Sequence, residues 1–265
     1  MSADLFVADT GEADLPAVVC LHSLFLDHTM FDAFTQAAAG RLRVIRPEFR
    51  GQARNGDATE TVTMDICADD ILDLLARLGL DRVHLVAQSM GGDVAVRVAA
   101  RRPEAIDRMV MLGSSVRAEP PEQLEAFRPI AEEVSRHGFV GDILEMVVQI
   151  MLGETCRNDP GRADVLAKMR ADIAALRPGL HHAVRGVVGR ESAVDLLPAV
   201  SAPTLVVSGG EDIARPPEWS QEVVDGIAGA ELWSLPTAGH SVIIEQPDVV
   251  IERVLSFLSE GQTVS

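Results

Sequence analysis

The segment Val83-His84-Leu85-Val86-Ala87-Gln88-Ser89-Met90-Gly91-Gly92-Asp93-Val94-Ala95-Val96 constrains this chain more than any other. An apolar run rich in β-branched residues stops at a serine. Two glycines follow within three residues, and then a helical pattern begins. That order predicts a strand over 83–87, a sharp turn, and a helix over 92–100. A serine at such a turn stands clear of the sheet, with its hydroxyl exposed and its backbone strained. The turn packs tightly and needs small residues two positions to either side, which Ala87 and Gly91 supply. The usual form is Gly-x-Ser-x-Gly, and alanine stands first here. The pentapeptide alone is weak; its place between strand and helix gives it weight.

The surrounding pattern alternates. Strands are predicted over 5–8, 16–21, 42–46 and 108–112, with helices over 29–39 and 62–78. From about Glu119 to Leu197 the rhythm breaks into helix-like stretches interrupted near Gly138, Gly153, Pro160 and Pro178. It resumes with strands over 204–208 and 231–235 and helices over 217–227 and 249–258. Strands alternating with helices imply right-handed parallel crossovers, hence an α/β fold with a doubly wound, mostly parallel sheet. The expected core is 1–117 with 198–265. A helical cap, 118–197, is inserted after the strand ending near Leu112 and covers the sheet's carboxyl edge, where open α/β sheets bind ligands.

Charge narrows the function. Forty acidic residues against 23 basic ones leave −17 at pH 7, which argues against nucleic acid or an anionic membrane as partner. A chain that is 47% hydrophobic can bury a sizeable core, yet its apolar runs are too short to span a membrane. The first residues show no secretory signal. Cys20, Cys67 and Cys156 are odd in number and far apart, which suits buried thiols in a reduced, cytoplasmic protein. Oligomeric state is not written in these features.

A serine hydroxyl is a poor nucleophile until a base takes its proton, and that base needs an orienting acid. His240, in Thr237-Ala238-Gly239-His240-Ser241, follows the last strand and so lies at the same edge as Ser89. The plainer alternative is a loop histidine satisfied by solvent. Val206-Val207-Ser208-Gly209-Gly210-Glu211-Asp212 runs from a strand into a turn with two acids. Asp212 is the chosen acid and Glu211 its neighbouring alternative. Backbone N–H groups of Met90, at the start of its helix, and of Leu24, in the loop His22-Ser23-Leu24-Phe25-Leu26-Asp27, are the expected oxyanion donors.

Ser23, Phe25, Met146, Met151, Met169 and Trp219 are candidate pocket residues, although methionines at helical spacing are more often core. Arg50 and Arg128 are candidate receivers of a substrate carboxylate, against the commoner structural arginine. His181 and His182 are adjacent on a helix and should point apart, so no shared metal is expected. The chain has no His-Glu-x-x-His, no paired Cys-x-x-Cys and no Gly-x-Gly-x-x-Gly, so neither metal nor cofactor is expected.

Taken together, Leu21-His22-Ser23-Leu24, Phe49-Arg50-Gly51-Gln52-Ala53-Arg54, Ala87-Gln88-Ser89-Met90-Gly91-Gly92, Pro203-Thr204-Leu205-Val206-Val207 with Asp212, and Ala238-Gly239-His240 resemble the α/β-hydrolase family in order and spacing. The resemblance spans the chain outside the cap and is nearest to the branch with 3-oxoadipate enol-lactonases, esterases and carbon–carbon hydrolases. It implies a Ser89, Asp212, His240 triad in the expected order. It also offers Glu119 as an alternative acid, since some related enzymes place theirs after the preceding strand.

Four departures stand out. Ser23 occupies a position that is often glycine. Glu48-Phe49-Arg50-Gly51-Gln52-Ala53 stands for Asp-x-x-Gly-x-Gly. Ala87 replaces the elbow's first glycine. The amino terminus has room for one strand before Pro16 rather than two. The implied activity is hydrolysis of a small carboxylic ester or lactone through an acyl-enzyme. The alternatives are cleavage of a vinylogous diketone, a cofactor-free perhydrolase or haloperoxidase, and a non-catalytic ligand receptor. A dehalogenase would need a carboxylate where Ser89 stands.

Overall fold

The structure, a computed structural model, describes residues 4–260, apart from the side chains at 123, 126, 128 and 131. Seven strands form one sheet: β1 (Val7–Asp9), β2 (Ala17–Leu21), β3 (Arg43–Pro47), β4 (Val83–Gln88), β5 (Ile106–Leu112), β6 (Thr204–Gly209) and β7 (Glu231–Leu235). Their order is β1-β3-β2-β4-β5-β6-β7, and only β1 runs antiparallel. Among the described residues one strand, β1, precedes β2. The order reverses between the adjacent strands β2 and β4. Their carboxyl ends deliver Ser23-Leu24 and Ser89 side by side at this topological switch point.

Helices α1 (Asp32–Ala38), α2 (Met64–Leu78) and α3 (Met90–Arg101) link the first strands. The side-chain period of two divides each central strand between the faces. Val19, Leu21, Leu85 and Ala87 pack into one core, and Val18, Cys20 and Val86 into the other. Both faces of β4 are fully buried, which is why Leu85, Val86 and Ala87 read as an unbroken apolar stretch rather than alternating. Each buried valine or leucine contributes about 1.5–3 kcal/mol, so a charge at Val86 would break the second core.

Local chemistry trims the predicted boundaries. The Thr63 hydroxyl accepts from Ile66 N–H, and Gly79 closes the helix at φ 64°, so α2 begins after the cap rather than at Val62. The expected helix over 29–39 divides into a 3₁₀ turn, His28–Phe31, and α1. Gly91, read as part of the turn, is helical, and the helix expected from Gly92 begins at Met90. A Cβ on Gly91 would strike the Leu21 carbonyl, and one on Gly92 would strike Ser114. Their smallness serves the close approach of α3 to the sheet.

Between β5 and β6 the described chain is helical, without strands: α4 (Pro121–His137), α5 (Gly141–Met151), α6 (Glu154–Asn158), α7 (Ala163–Ala174) and α8 (His181–Val188). Three helices complete the fold: α9 (Pro217–Gly226), α10 (Val242–Glu245) and α11 (Pro247–Ser259). No described helix is long and apolar enough to cross a membrane. Cys20, Cys67 and Cys156 are buried and unbridged. Burial pushes all three thiols up, Cys156 to about 11, which keeps them protonated and unreactive.

Candidate active site

β4 ends in a turn that places Ser89 at φ 56°, ψ −116°, a left-handed backbone rare outside glycine. The turn is held by Ser89 N–H donating to the Leu112 carbonyl at 2.9 Å. His240 comes from the loop after β7. Its Nε2 lies 2.8 Å from Ser89 Oγ and its Nδ1 2.8 Å from Asp212 Oδ2. All three side chains are buried, although remote in sequence. Asp212 Oδ1 accepts from the N–H groups of Ala214 and Arg215 at 2.9 and 2.8 Å. The carboxylate therefore has one oxygen fixed by backbone and one left for the imidazole. A Cβ at Gly113, φ 49°, would collide with the His240 carbonyl and crowd Asp212 Oδ2.

The loop after β2 is set by His22. Its Nδ1–H donates to the Ser23 carbonyl at 2.8 Å, and its Nε2 accepts from Phe49 N–H at 2.9 Å. Burial holds this imidazole well below its usual range, so it stays neutral as that pairing requires. The loop brings Leu24 beside Ser89 on the wall of one cavity. Met90 supplies the first N–H of α3, for which a helix has no internal acceptor. Ser23 lines the same cavity, and its buried hydroxyl has no hydrogen-bond partner among the described residues.

That cavity holds about 310 Å³ between the sheet edge and the helices of the insertion. Phe25, Phe139, Ile143, Met146, Met151 and Val187 contribute its apolar walls. Met146 and Met151, two of the candidate pocket residues, are on its wall. Trp219 does not. It is 7% exposed on α9 and packs against the guanidinium groups of Arg117 and Arg215, outside this cavity. Alternation of elements locates α9 but does not tell which way its indole faces. Met169 lines a neighbouring cavity instead.

Arg50 makes a bidentate pair with buried Asp70 and is not on the wall. The Arg128 side chain lies outside the described residues. His181 and His182 do not point apart: their ring centroids are 4.0 Å apart, and His181 Nδ1 is bonded back to the Pro178 carbonyl at 2.9 Å.

The alternative acids are committed elsewhere. Glu211 accepts from Thr155 N–H and its hydroxyl, at 2.8 and 2.5 Å. Glu119 lines the cavity but receives Arg190 Nη1 at 3.0 Å and Arg215 Nη2 at 2.9 Å. Arg190 also faces Asp93 at 3.3 Å, and Asp93 pairs with Arg97 at 2.7 Å. Burial first, then repulsion from Arg215, pushes Arg190 down to about 10, and burial pushes the Asp93 carboxyl up.

Sequence reading missed this cluster, and it missed Glu245. The Glu245 carboxylate accepts from Gly239 and Ser241, on either side of His240, at 2.9 and 3.1 Å. It also takes Gly153 N–H of the insertion at 3.0 Å. Burial pushes its carboxyl up against the pull of these three donors. Its place five residues beyond His240 was the available signal.

Asp27, His28 and Glu48 bring metal-ligand atom types within 4.8 Å of one another. Those atoms are already engaged: Glu48 holds His28 Nδ1 at 2.6 Å and Arg54 N–H at 2.6 Å, and Asp27 caps Thr29 at 2.8 Å. The cluster pins the loops after β2 and β3.

A family model described as alpha/beta hydrolase fold matches residues 16–247. An esterase structure from Thermogutta terrifontis superposes with a TM-score of 0.87 at 34% identity, covering 98% of this chain and 94% of that one. The enol-lactonase of Burkholderia xenovorans LB400 gives 0.87 at 26% identity, covering 97% and 96%. The 2-hydroxymuconate semialdehyde hydrolase of Pseudomonas sp. (strain CF600) is 30% identical over 236 residues, 84% of this chain and 78% of that protein.

Proposed function

The chain belongs to the α/β-hydrolase family, and from that premise we propose that it is a serine hydrolase cleaving small, apolar carboxylic esters or lactones. The observation that carries this reading is the hydrogen-bonded series Asp212, His240, Ser89, ending on the wall of a mostly apolar cavity. Ser89 Oγ attacks the carbonyl carbon while His240 Nε2 takes its proton. Asp212 keeps Nδ1 protonated and stabilises the imidazolium that forms. The N–H groups of Met90 and Leu24 hold the tetrahedral oxyanion; losing one such donor costs about 3 kcal/mol of barrier. His240 passes the proton to the leaving alkoxide, and water then repeats the sequence on the acyl-enzyme.

The insertion, read as the cap over residues 118–197, supplies the acyl-side walls through Met146 and Met151. A chamber of 310 Å³ is at the small end of ligand sites, which suits a small substrate. The test is hydrolysis of p-nitrophenyl butyrate with fluorophosphonate labelling of Ser89. Ser89→Ala should abolish both while the thermal midpoint stays near wild type. Wild-type protein inert to both reagents would leave the ligand-receptor reading instead. Carbon–carbon cleavage, the activity named for the Pseudomonas relative, would appear as turnover of a vinylogous diketone in preference to esters.

A further inference from the structure

The walls of the 310 Å³ chamber and those of a second chamber, of about 620 Å³, meet at one residue, Phe25. The second chamber lies between the loop 26–33 and α7. Leu26, Met30, Val165, Met169, Leu176 and Ile244 give it apolar walls. Exposed residues, Asp32, Ala53 and Lys168, stand at its rim, as exposed Ile213 does at the rim of the inner chamber. Ser89 and His240 are 5% and 3% exposed.

Phe25 is also strained. Its φ of 71° lies where aromatic residues rarely sit. Its ring meets Phe139 of the insertion edge-on, centroids 5.4 Å apart. A strained residue, next to an expected oxyanion donor and shared by two cavities, is placed to divide them. The outer chamber carries no net positive charge on its walls. Its two cations are paired, Lys168 with Asp172 at 2.6 Å and Arg177 with Asp57 at 3.5 Å, and Asp27 adds a further carboxylate.

Building on the hydrolase reading, we infer that the outer chamber is a second substrate chamber. It takes an uncharged, apolar group too long for the inner one, and Phe25 is the partition that group must pass. The experiment compares kcat/KM for p-nitrophenyl acetate, butyrate, octanoate and dodecanoate in the full-length protein. Phe25→Gly removes the ring and suits the positive φ. It should raise the dodecanoate-to-acetate ratio at least tenfold. Adding Leu176→Trp, or Val165→Trp should the first not fold, fills the outer chamber and should cancel most of that gain.

An unchanged ratio in Phe25→Gly, or a gain that both filling variants leave intact, would overturn the inference. A p-nitrophenyl ester of a long diacid, carrying a free carboxylate, should gain less than threefold; an equal gain would refute the uncharged class. Fluorophosphonate labelling separates the two readings. Labelled Ser89 with an unmoved ratio rejects the second chamber alone. Unlabelled wild-type protein rejects the hydrolase reading beneath it.

Discussion

Two buried charge clusters share the carboxyl rim of the sheet. In one, Asp212 grips His240, which reaches Ser89. In the other, Glu119 and Asp93 are enclosed by Arg97, Arg190 and Arg215. Both present a carboxylate near the cavity, and topology alone could have put the acid at either. The cations decide. Asp212 is held by two backbone N–H groups and has an oxygen left for an imidazole. Glu119 has its charge countered by two guanidinium groups and no histidine in reach of the hydrogen bonds it makes. One cluster is an open series that ends at the Ser89 hydroxyl on the cavity wall. The other closes on itself, and it ties both ends of the insertion, at Glu119 and Arg190, to the core residues Asp93 and Arg215.

The sharpest way to break this comparison is to neutralise each acid. Asp212→Asn should lower kcat by about four orders of magnitude, because the wrong imidazole tautomer is favoured, with little loss of stability. Glu119→Gln should do the reverse. Stripping a buried partner from two arginines costs about 3–5 kcal/mol in denaturant unfolding, with kcat within about tenfold of wild type. A kinetic collapse in Glu119→Gln with unchanged unfolding would exchange the two roles.

Glu245→Gln should fall between them. Gln keeps one acceptor oxygen for three donors, and an unsatisfied buried N–H costs about 1–3 kcal/mol. Stability should drop by that amount, and amide exchange should quicken together at Gly153, Gly239 and Ser241. Exchange that quickens at only one of these sites would mean that the carboxylate does not bind the insertion to the His240 loop.

The smallest effect concerns His22. Its folded imidazole is held below the unfolded value of about 6.5, so the unfolded chain binds the proton first. The stability it contributes is full above about pH 6.5 and is lost as pH falls through that value toward the folded one. Urea midpoints measured from pH 7.5 to 5.5 should therefore decline more steeply in wild type than in His22→Gln. Parallel slopes would show that the ring is not kept neutral.

Much of the fold was legible because its signals are local. Strand alternation, the Ser89 elbow and the chain order of Ser89, Asp212 and His240 need only neighbours in sequence. The helical character of the insertion was equally plain. What escaped was orientation. Trp219 lies on a helix whose existence was foreseen, but the choice of indole-facing surface belongs to Arg117 and Arg215. The partners of Glu119 sit 71 and 96 positions away in sequence, at Arg190 and Arg215, and no spacing rule links them. Gly91 looked like a turn residue, and the closeness of Gly91 to Leu21 and of Gly92 to Ser114 is invisible until β2 and β5 are in place.

The placement of Trp219 has an optical consequence. The chain contains no tyrosine and two tryptophans, so its ultraviolet emission comes from Trp219 and the half-buried Trp233 on β7. The Arg215 guanidinium is 5.6 Å from the Trp219 ring and also stands on the wall of the 310 Å³ chamber. With Trp233 replaced by phenylalanine, the remaining indole becomes an intrinsic fluorophore whose emission wavelength responds to the charge of that guanidinium. Any occupant that displaces Arg215 would then be seen by spectroscopy without a label or a turnover assay.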